Sequence, residues 1–236
     1  MSRVLVIGDI HGSYRALIQC LRKARFDYKK DCLICLGDVC DGWPDTKLCI
    51  DELLKIKHLV FVMGNHDTWL LDWMQTGDVE NIWYVQGGEA TIDSYAGSPV
   101  PSAHVDFLQK ALPYFLWENK LFVHAGIDPA LTLAEQTGDI LYWDRALAKA
   151  ALSNHQIHID TKFAVVDHKL TPYEEVYLGH TPIRQERPLY SGGVWLMDTG
   201  AGWDGVLSMM DIYSKEVFTS DPSPMLYPGF QGRQRI

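Results

Sequence analysis

The sequence predicts an α/β fold built from βαβ units, and three observations carry that reading. Short apolar runs alternate with segments of helical periodicity. The first three runs each end in a glycine followed at once by polar residues: Gly8-Asp9, Gly37-Asp38 and Gly64-Asn65. A chain of 236 residues, 47% of them apolar, can also bury an extensive core.

Taken in order, Val4 to Ile7 is the first strand. Ser13 to Arg25 is the first helix, with apolar or aromatic residues at 14, 17, 18 and 21 on one face. Asp31 to Leu36 and Asp45 to Lys57 repeat the pair, and "HLVFVM" (58–63) is a third strand. Strands joined by helices imply parallel pairing through right-handed crossovers. "LFVHAGI" (121–127), "EVYLGHTP" (175–182), "GVWLMDTG" (193–200) and "GVLSMMDIY" (205–213) read as further strands punctuated by glycine and proline. Residues 131–152 read as helix, 155–172 as an irregular loop or lid, and the tail from about 220 as irregular. The whole, 1–236, is expected to form one domain.

Composition excludes several function classes. A net charge of −9 argues against binding a nucleic-acid backbone, although bound cations would cancel part of it. Cysteines at 20, 32, 35, 40 and 49 are odd in number. The one CxxC, Cys32 and Cys35, lacks the second pair a zinc site needs, so the thiols read as small core hydrophobes in a reducing compartment. No basic-flanked apolar leader and no apolar stretch of membrane-crossing length is present, so a cytoplasmic protein without a membrane partner is expected.

"GDIHG" (8–12) poses the chemical question, because it sets Asp9 and His11 at the tip of a buried strand. An unpaired buried carboxylate costs several kcal/mol in order of magnitude, so something must pair it. Asp38 with Asp41, Asn65 with His66, His124 and His180 also sit at strand ends. In open parallel sheets, ligand sites gather at the carboxyl ends of strands. Carboxylate, amide oxygen and imidazole together suit divalent ions of intermediate hardness such as Mn, Fe or Zn. Six such ligands suit two adjacent ions with one carboxylate shared, an arrangement that clamps both oxygens of an in-line phosphoryl displacement.

These motifs are also recognisable. "GDIHG", "GDVCDGW", "GNHD", "HAGI" and "GHTP" appear in the order of the family patterns GDxHG, GDxxDRG, GNHE, HAG and GH. The chain resembles the calcineurin-like metallophosphoesterases of the phosphoprotein phosphatase superfamily, in the bacterial and phage branch that includes symmetric diadenosine tetraphosphate hydrolases. The resemblance spans residues 3 to about 213 and implies a two-sheet β-sandwich with flanking helices.

It also implies roles for individual residues. Asp9 and His11 would hold a first metal, Asp38 would bridge, and Asn65, His124 and His180 would hold a second; Mn leads, with Fe, Zn, Ni or Mg as alternatives. His66 would donate the proton to the leaving group, oriented by Asp41. Arg145 in "YWDR" would bind the phosphate together with Asn65, while Asp198 would brace the site. Two departures stand out. Gly42 replaces the family arginine of GDxxDRG, which leaves Arg184, Arg187 or Lys162 as substitutes for a bidentate phosphate clamp, with Trp43 beside the gap free to widen or stack the pocket. Restoring arginine at 42 is accordingly expected to raise turnover. Asp67 replaces the family glutamate, with a milder expected effect.

The expected function is a dinuclear metal-dependent phosphomonoesterase that uses direct attack by a metal-bound hydroxide, with phosphoserine or phosphothreonine protein or a small phosphoester as substrate. The alternatives are a phosphodiesterase or dinucleoside polyphosphate hydrolase with the same site, and a catalytically silent metal-binding scaffold. His58, His104, His155, His158 and His168 read as surface, loop or structural residues, and Trp69, Trp73, Trp83 and Tyr84 as core.

Overall fold

A computed structural model describes residues 3–160 and 168–233. Its strands are β1 (Val4–Ile7), β2 (Cys32–Cys35), β3 (His58–Phe61), β4 (Phe115–Trp117), β5 (Lys120–Val123), β6 (Glu175–Leu178), β7 (Leu189–Ser191), β8 (Val194–Leu196), β9 (Ser208–Asp211) and β10 (Val217–Thr219). They form two mixed five-stranded sheets, in the orders β10-β9-β1-β2-β3 and β4-β5-β6-β8-β7. Strands β1, β2 and β3 are parallel, as are β5, β6 and β8. The remaining strands add antiparallel pairs to each sheet. The two-sheet α/β architecture is the one the motifs imply.

The central strands β1, β2, β5 and β6 are buried on both faces because both faces are covered. Val6, Ile34, Leu36, Phe122, Tyr177, Met197 and Met210 form the core between the sheets. Their neighbours Leu5, Ile7, Leu33 and Cys35 point the other way, onto the helices α1 (Tyr14–Lys23) and α2 (Thr46–Leu53). On the second sheet, Val123, Val176, Leu178 and Leu196 pack on Leu147, Ala148 and Ala151 of the helix Ala146–Asp160. All five cysteines are free, and four of them are buried.

Several expectations are corrected. β4, β7 and β10 carry no sequence signal: each has only three residues and forms a sheet edge, too short for a periodicity to show. Residues 131–152 are not one helix. A helix from Gly138 to Trp143 stops where Asp144 turns extended (φ −69°, ψ 136°), and the Asp144 carboxylate then accepts the Ala146 amide at 2.7 Å. The next helix runs to Asp160, so the supposed loop from 155 begins as helix; Lys162 lies outside the described residues. Beyond 220, Ser223–Leu226 is helical and Tyr227 is buried. His104 is buried, between the Tyr95 hydroxyl (2.9 Å) and Asp51 (3.0 Å), whereas Tyr84 is 40% exposed.

Gly8, just after β1, is packed against the backbone that follows β8. A Cβ there would stand 2.5 Å from the Met197 carbonyl oxygen, a backbone atom with nowhere to move. Gly8→Ala is therefore predicted to destabilise the fold by about 2–3 kcal/mol, read as a lower midpoint in urea unfolding.

Candidate metal centre and active site

The site is assembled from loops that leave β1, β2, β3, β5 and β6, and these loops are bound to one another before any ligand is considered. The Asp38 carbonyl accepts the amides of Ile10 (3.0 Å) and His11 (2.9 Å), and the Val39 carbonyl that of Gly12 (2.8 Å). The Asp67 carboxylate, in the first turn of α3 (Asn65–Thr76), gathers the amides of Asp38 (2.7 Å), Val39 (2.9 Å) and Gly64 (2.9 Å). Of the eight non-glycine residues described with positive φ, four are site residues: His11 (49°), Asp38 (49°), Asp41 (73°) and His180 (60°). Such conformations cost on the order of 1–3 kcal/mol each and persist only where the surroundings impose them.

Asp9, His11 and Asp38 form one buried cluster and Asp38, His124 and His180 another, with candidate ligand atoms in each within 4.8 Å of one another. Asp38 belongs to both. Each histidine spends one ring nitrogen on a backbone carbonyl: His11 Nδ1 on Cys40 (2.9 Å), His124 Nδ1 on Leu36 (2.7 Å) and His180 Nε2 on Trp143 (3.1 Å). A carbonyl only accepts, so these nitrogens carry the protons and the opposite ones face the clusters, the arrangement metal-binding imidazoles use. His11 Nε2 lies 3.7 Å from Asp38 Oδ2. His124 Nε2 lies 3.4 Å from Asp38 Oδ2 and 3.0 Å from Asn65 Oδ1.

The electrostatics favour a cation here. Asp9 Oδ1 is buried and hydrogen-bonds to nothing among the described residues, as does Asp198 Oδ2. Burial and the neighbouring Asp198 push the Asp9 carboxyl well above the usual range, and burial lifts Asp198 to about 6. Burial works against a charge on His124 too, yet Asp38, Asp9 and the Leu36 carbonyl together outweigh it and raise the imidazole to about 10. Its Nε2, facing two oxygens, is a position for positive charge, whether a proton or an ion. The backbone also makes room. A Cβ on Gly179 would lie 2.1 Å from Asp9 Oδ1, and one on Gly64 2.2 Å from Asp38 Oδ1. The donor set, the orphaned oxygen and the glycine cradle therefore fit divalent cations.

Beside the clusters, His66 Nδ1 donates to Asp41 Oδ2 at 2.6 Å. Asp41 is locked in turn: Trp83 Nε1 donates to Oδ2 (2.8 Å) and the Thr91 hydroxyl to Oδ1 (2.7 Å). Trp83 is core, as its spacing predicts, and it also braces the dyad. The Trp69 and His66 rings stand perpendicular, with their centres 5.2 Å apart. Arg145 is exposed in the break between the two helices, near enough to His180 for its charge to reinforce burial in lowering that imidazole. Asp198, through Oδ1, accepts the Gly200 amide at 2.9 Å and lies within the same charge cluster.

Arg233 carries no motif, and sequence reading missed it. Its Nη1 lies 3.2 Å from His11 Nε2. Trp203, stacked under its guanidinium at 4.5 Å, and Gln86 were missed as well. These residues line a cleft of about 970 Å³ together with Ile82, Arg184 and Glu186. No helix among the described residues is long and apolar enough to cross a membrane.

Two α/β sheets with carboxylate–imidazole clusters at their strand ends define a metallophosphoesterase. The chain belongs to the calcineurin-like phosphoesterase family, whose pattern matches residues 2–190. It is 29% identical over 217 residues to serine/threonine-protein phosphatase 1 of Salmonella typhimurium, covering 89% of this chain and 91% of that one. It is 25% identical over 282 residues to the symmetrical bis(5'-nucleosyl)-tetraphosphatase of Pseudomonas fluorescens, covering 94% and 96%. The crystal structure of a candidate diadenosine tetraphosphatase shares the fold, with a TM-score of 0.68 and 18% identity over 94% of this chain and 93% of that one.

The Asp67 carboxylate meets backbone N–H donors on both oxygens, so either orientation of an amide there turns an NH2 toward a donor. Asp67→Asn is predicted to lose about 1–3 kcal/mol of stability in urea unfolding.

Proposed function

We propose that the protein hydrolyses phosphomonoesters at two divalent cations, manganese foremost, held by Asp9 and His11 on one side, Asn65, His124 and His180 on the other, and Asp38 between them. The observation that carries the reading is the sharing of buried Asp38 by two clusters, with the His66–Asp41 dyad alongside. Bound cations would supply Lewis-acid chemistry, drawing charge from the phosphoryl oxygens and easing deprotonation of water. The chain's own residues supply the rest. Asp41 holds His66 by Nδ1, which leaves Nε2 to pass a proton to the departing oxygen. Arg145 and the Asn65 amide bind the phosphoryl oxygens as negative charge accumulates there. A phosphorylated protein or a small phosphoester fits this chemistry.

A second reading, a dinucleoside polyphosphate hydrolase, draws on the Pseudomonas relative's match along nearly its whole length and on the open cleft flanked by Trp203 and Ile82. Turnover of p-nitrophenyl phosphate, its bis ester and diadenosine tetraphosphate by manganese-loaded protein separates the two. Preference for the monoester is expected; a clear preference for the tetraphosphate overturns the first reading in favour of the second.

His66→Asn is predicted to lower kcat by about 10²–10⁴. The loss should be smaller for p-nitrophenyl phosphate than for phenyl phosphate, whose more basic leaving oxygen depends more on the proton. An equal loss on both substrates would contradict the acid role.

A further inference from the structure

The site has a gap in its cationic lining at Gly42 and an unassigned cation beside it. Gly42 has φ +108°, and a Cβ there would meet Arg233 Cγ at 2.9 Å and Arg233 N at 3.3 Å. The volume that a side chain at 42 would enter is thus taken by a residue 191 positions later in the chain. Trp43, next to the gap, seats the segment that brings it. Trp43 is buried, its Nε1 donates to the Ala201 carbonyl at 2.7 Å, and its ring stacks on Tyr227 at 5.1 Å. Gly232 crosses that ring so closely that a Cβ would lie 2.8 Å from Trp43 Cζ2. The Tyr227 hydroxyl donates to Asp45 (2.8 Å) and accepts the Arg15 amide (3.0 Å), while the Arg233 amide donates to the Gly202 carbonyl (2.8 Å).

The guanidinium is aimed as well as delivered. Nε donates to the Gln86 carbonyl (3.3 Å) and Nη2 to Gln86 Oε1 (3.2 Å), while Trp203 lies flat beneath at 4.5 Å. Gln86 thereby holds one edge of the fork, and Nη1 is turned to His11 and the first cluster. A planar cation held along one edge and on one face loses little freedom when it grips an oxyanion. Arg184 and Arg187, the other arginines considered, are exposed in the loop after His180.

We infer that Arg233 is a second phosphate-binding arginine beside Arg145, supplied by the C-terminal segment into the space Gly42 leaves and seated by Trp43. This inference rests on the phosphomonoesterase reading. The exchange of arginine for glycine at 42, with Trp43 beside it, is a compensated change, and the oxyanion recognised is the dianion of a phosphomonoester. Restoring arginine at 42, expected from sequence to raise turnover, instead forces a side chain into a left-handed backbone and against Arg233.

The test uses manganese-loaded wild type, Arg233→Gln, Arg233→Lys and a chain ending at Gly232. Metal content is measured by elemental analysis, inorganic phosphate affinity by calorimetry, and KM and kcat with p-nitrophenyl phosphate. Arg233→Gln and the shortened chain should keep full metal content and bind phosphate roughly ten- to a hundredfold more weakly, with a comparable rise in KM. Arg233→Lys should recover part of the loss, and Gly42→Arg should lower turnover. Unchanged phosphate affinity in Arg233→Gln overturns the inference. So does a gain in metal affinity without loss of phosphate binding, because Arg233 would then be a plug over His11. Wild type that binds metal yet neither binds phosphate nor hydrolyses any phosphoester overturns the phosphomonoesterase reading first, whereas an active enzyme indifferent to position 233 overturns this inference alone.

Discussion

Asp38 is the constraint on which the site's geometry depends. A carboxylate with 1% exposure must be compensated from all sides, and it is. Its Oδ1 accepts the His66 amide at 3.0 Å, its own amide is held by Asp67, and its Oδ2 faces His11 and His124. Burial alone would raise its pKa, but His124, His66 and His11 together outweigh that and hold the carboxyl well below the usual range. It is thus the one acid of the cluster kept firmly ionised, while Asp9 and Asp198 beside it resist ionisation. Three carboxylates so close are stable together only when positive charge lies among them.

The fold makes that convergence possible. Parallel strands in both sheets send their carboxyl ends to a common rim, so Asp9, after β1, receives the amide of His180, after β6, at 2.9 Å. The sandwich core of Val6, Ile34, Phe122 and Tyr177 fixes the spacing of the two rims, and close contacts at Gly8, Gly64 and Gly179 leave no space for side chains there. Strain at four site residues is sustained by this surrounding network rather than by local preference.

Much of this was legible in the sequence because the signals are local. Apolar runs punctuated by glycine located β1, β2, β3, β5, β6, β8 and β9, and the polar residues at several of their ends identified the side chains that the structure draws together. The illegible parts depend on partners distant in the chain. Three-residue edge strands have no periodicity of their own, and the burial of His104 depends on Tyr95 and Asp51. The helix break at Asp144 is a capping interaction that periodicity does not register. The departure at Gly42, with Trp43 beside it, looks like a loss when read locally. Its compensation, through Tyr227, Gly232 and Arg233, is visible only once the chain's end is folded against its second loop.

Crystals grown with manganese and measured at its absorption edge test the central claim most directly. The account predicts two anomalous peaks at the strand-end rim with Asp38 in contact with both, reduced to one or none in Asp38→Asn. A single ion, ions bound away from Asp38, or full phosphoesterase turnover by protein stripped of metal would contradict it.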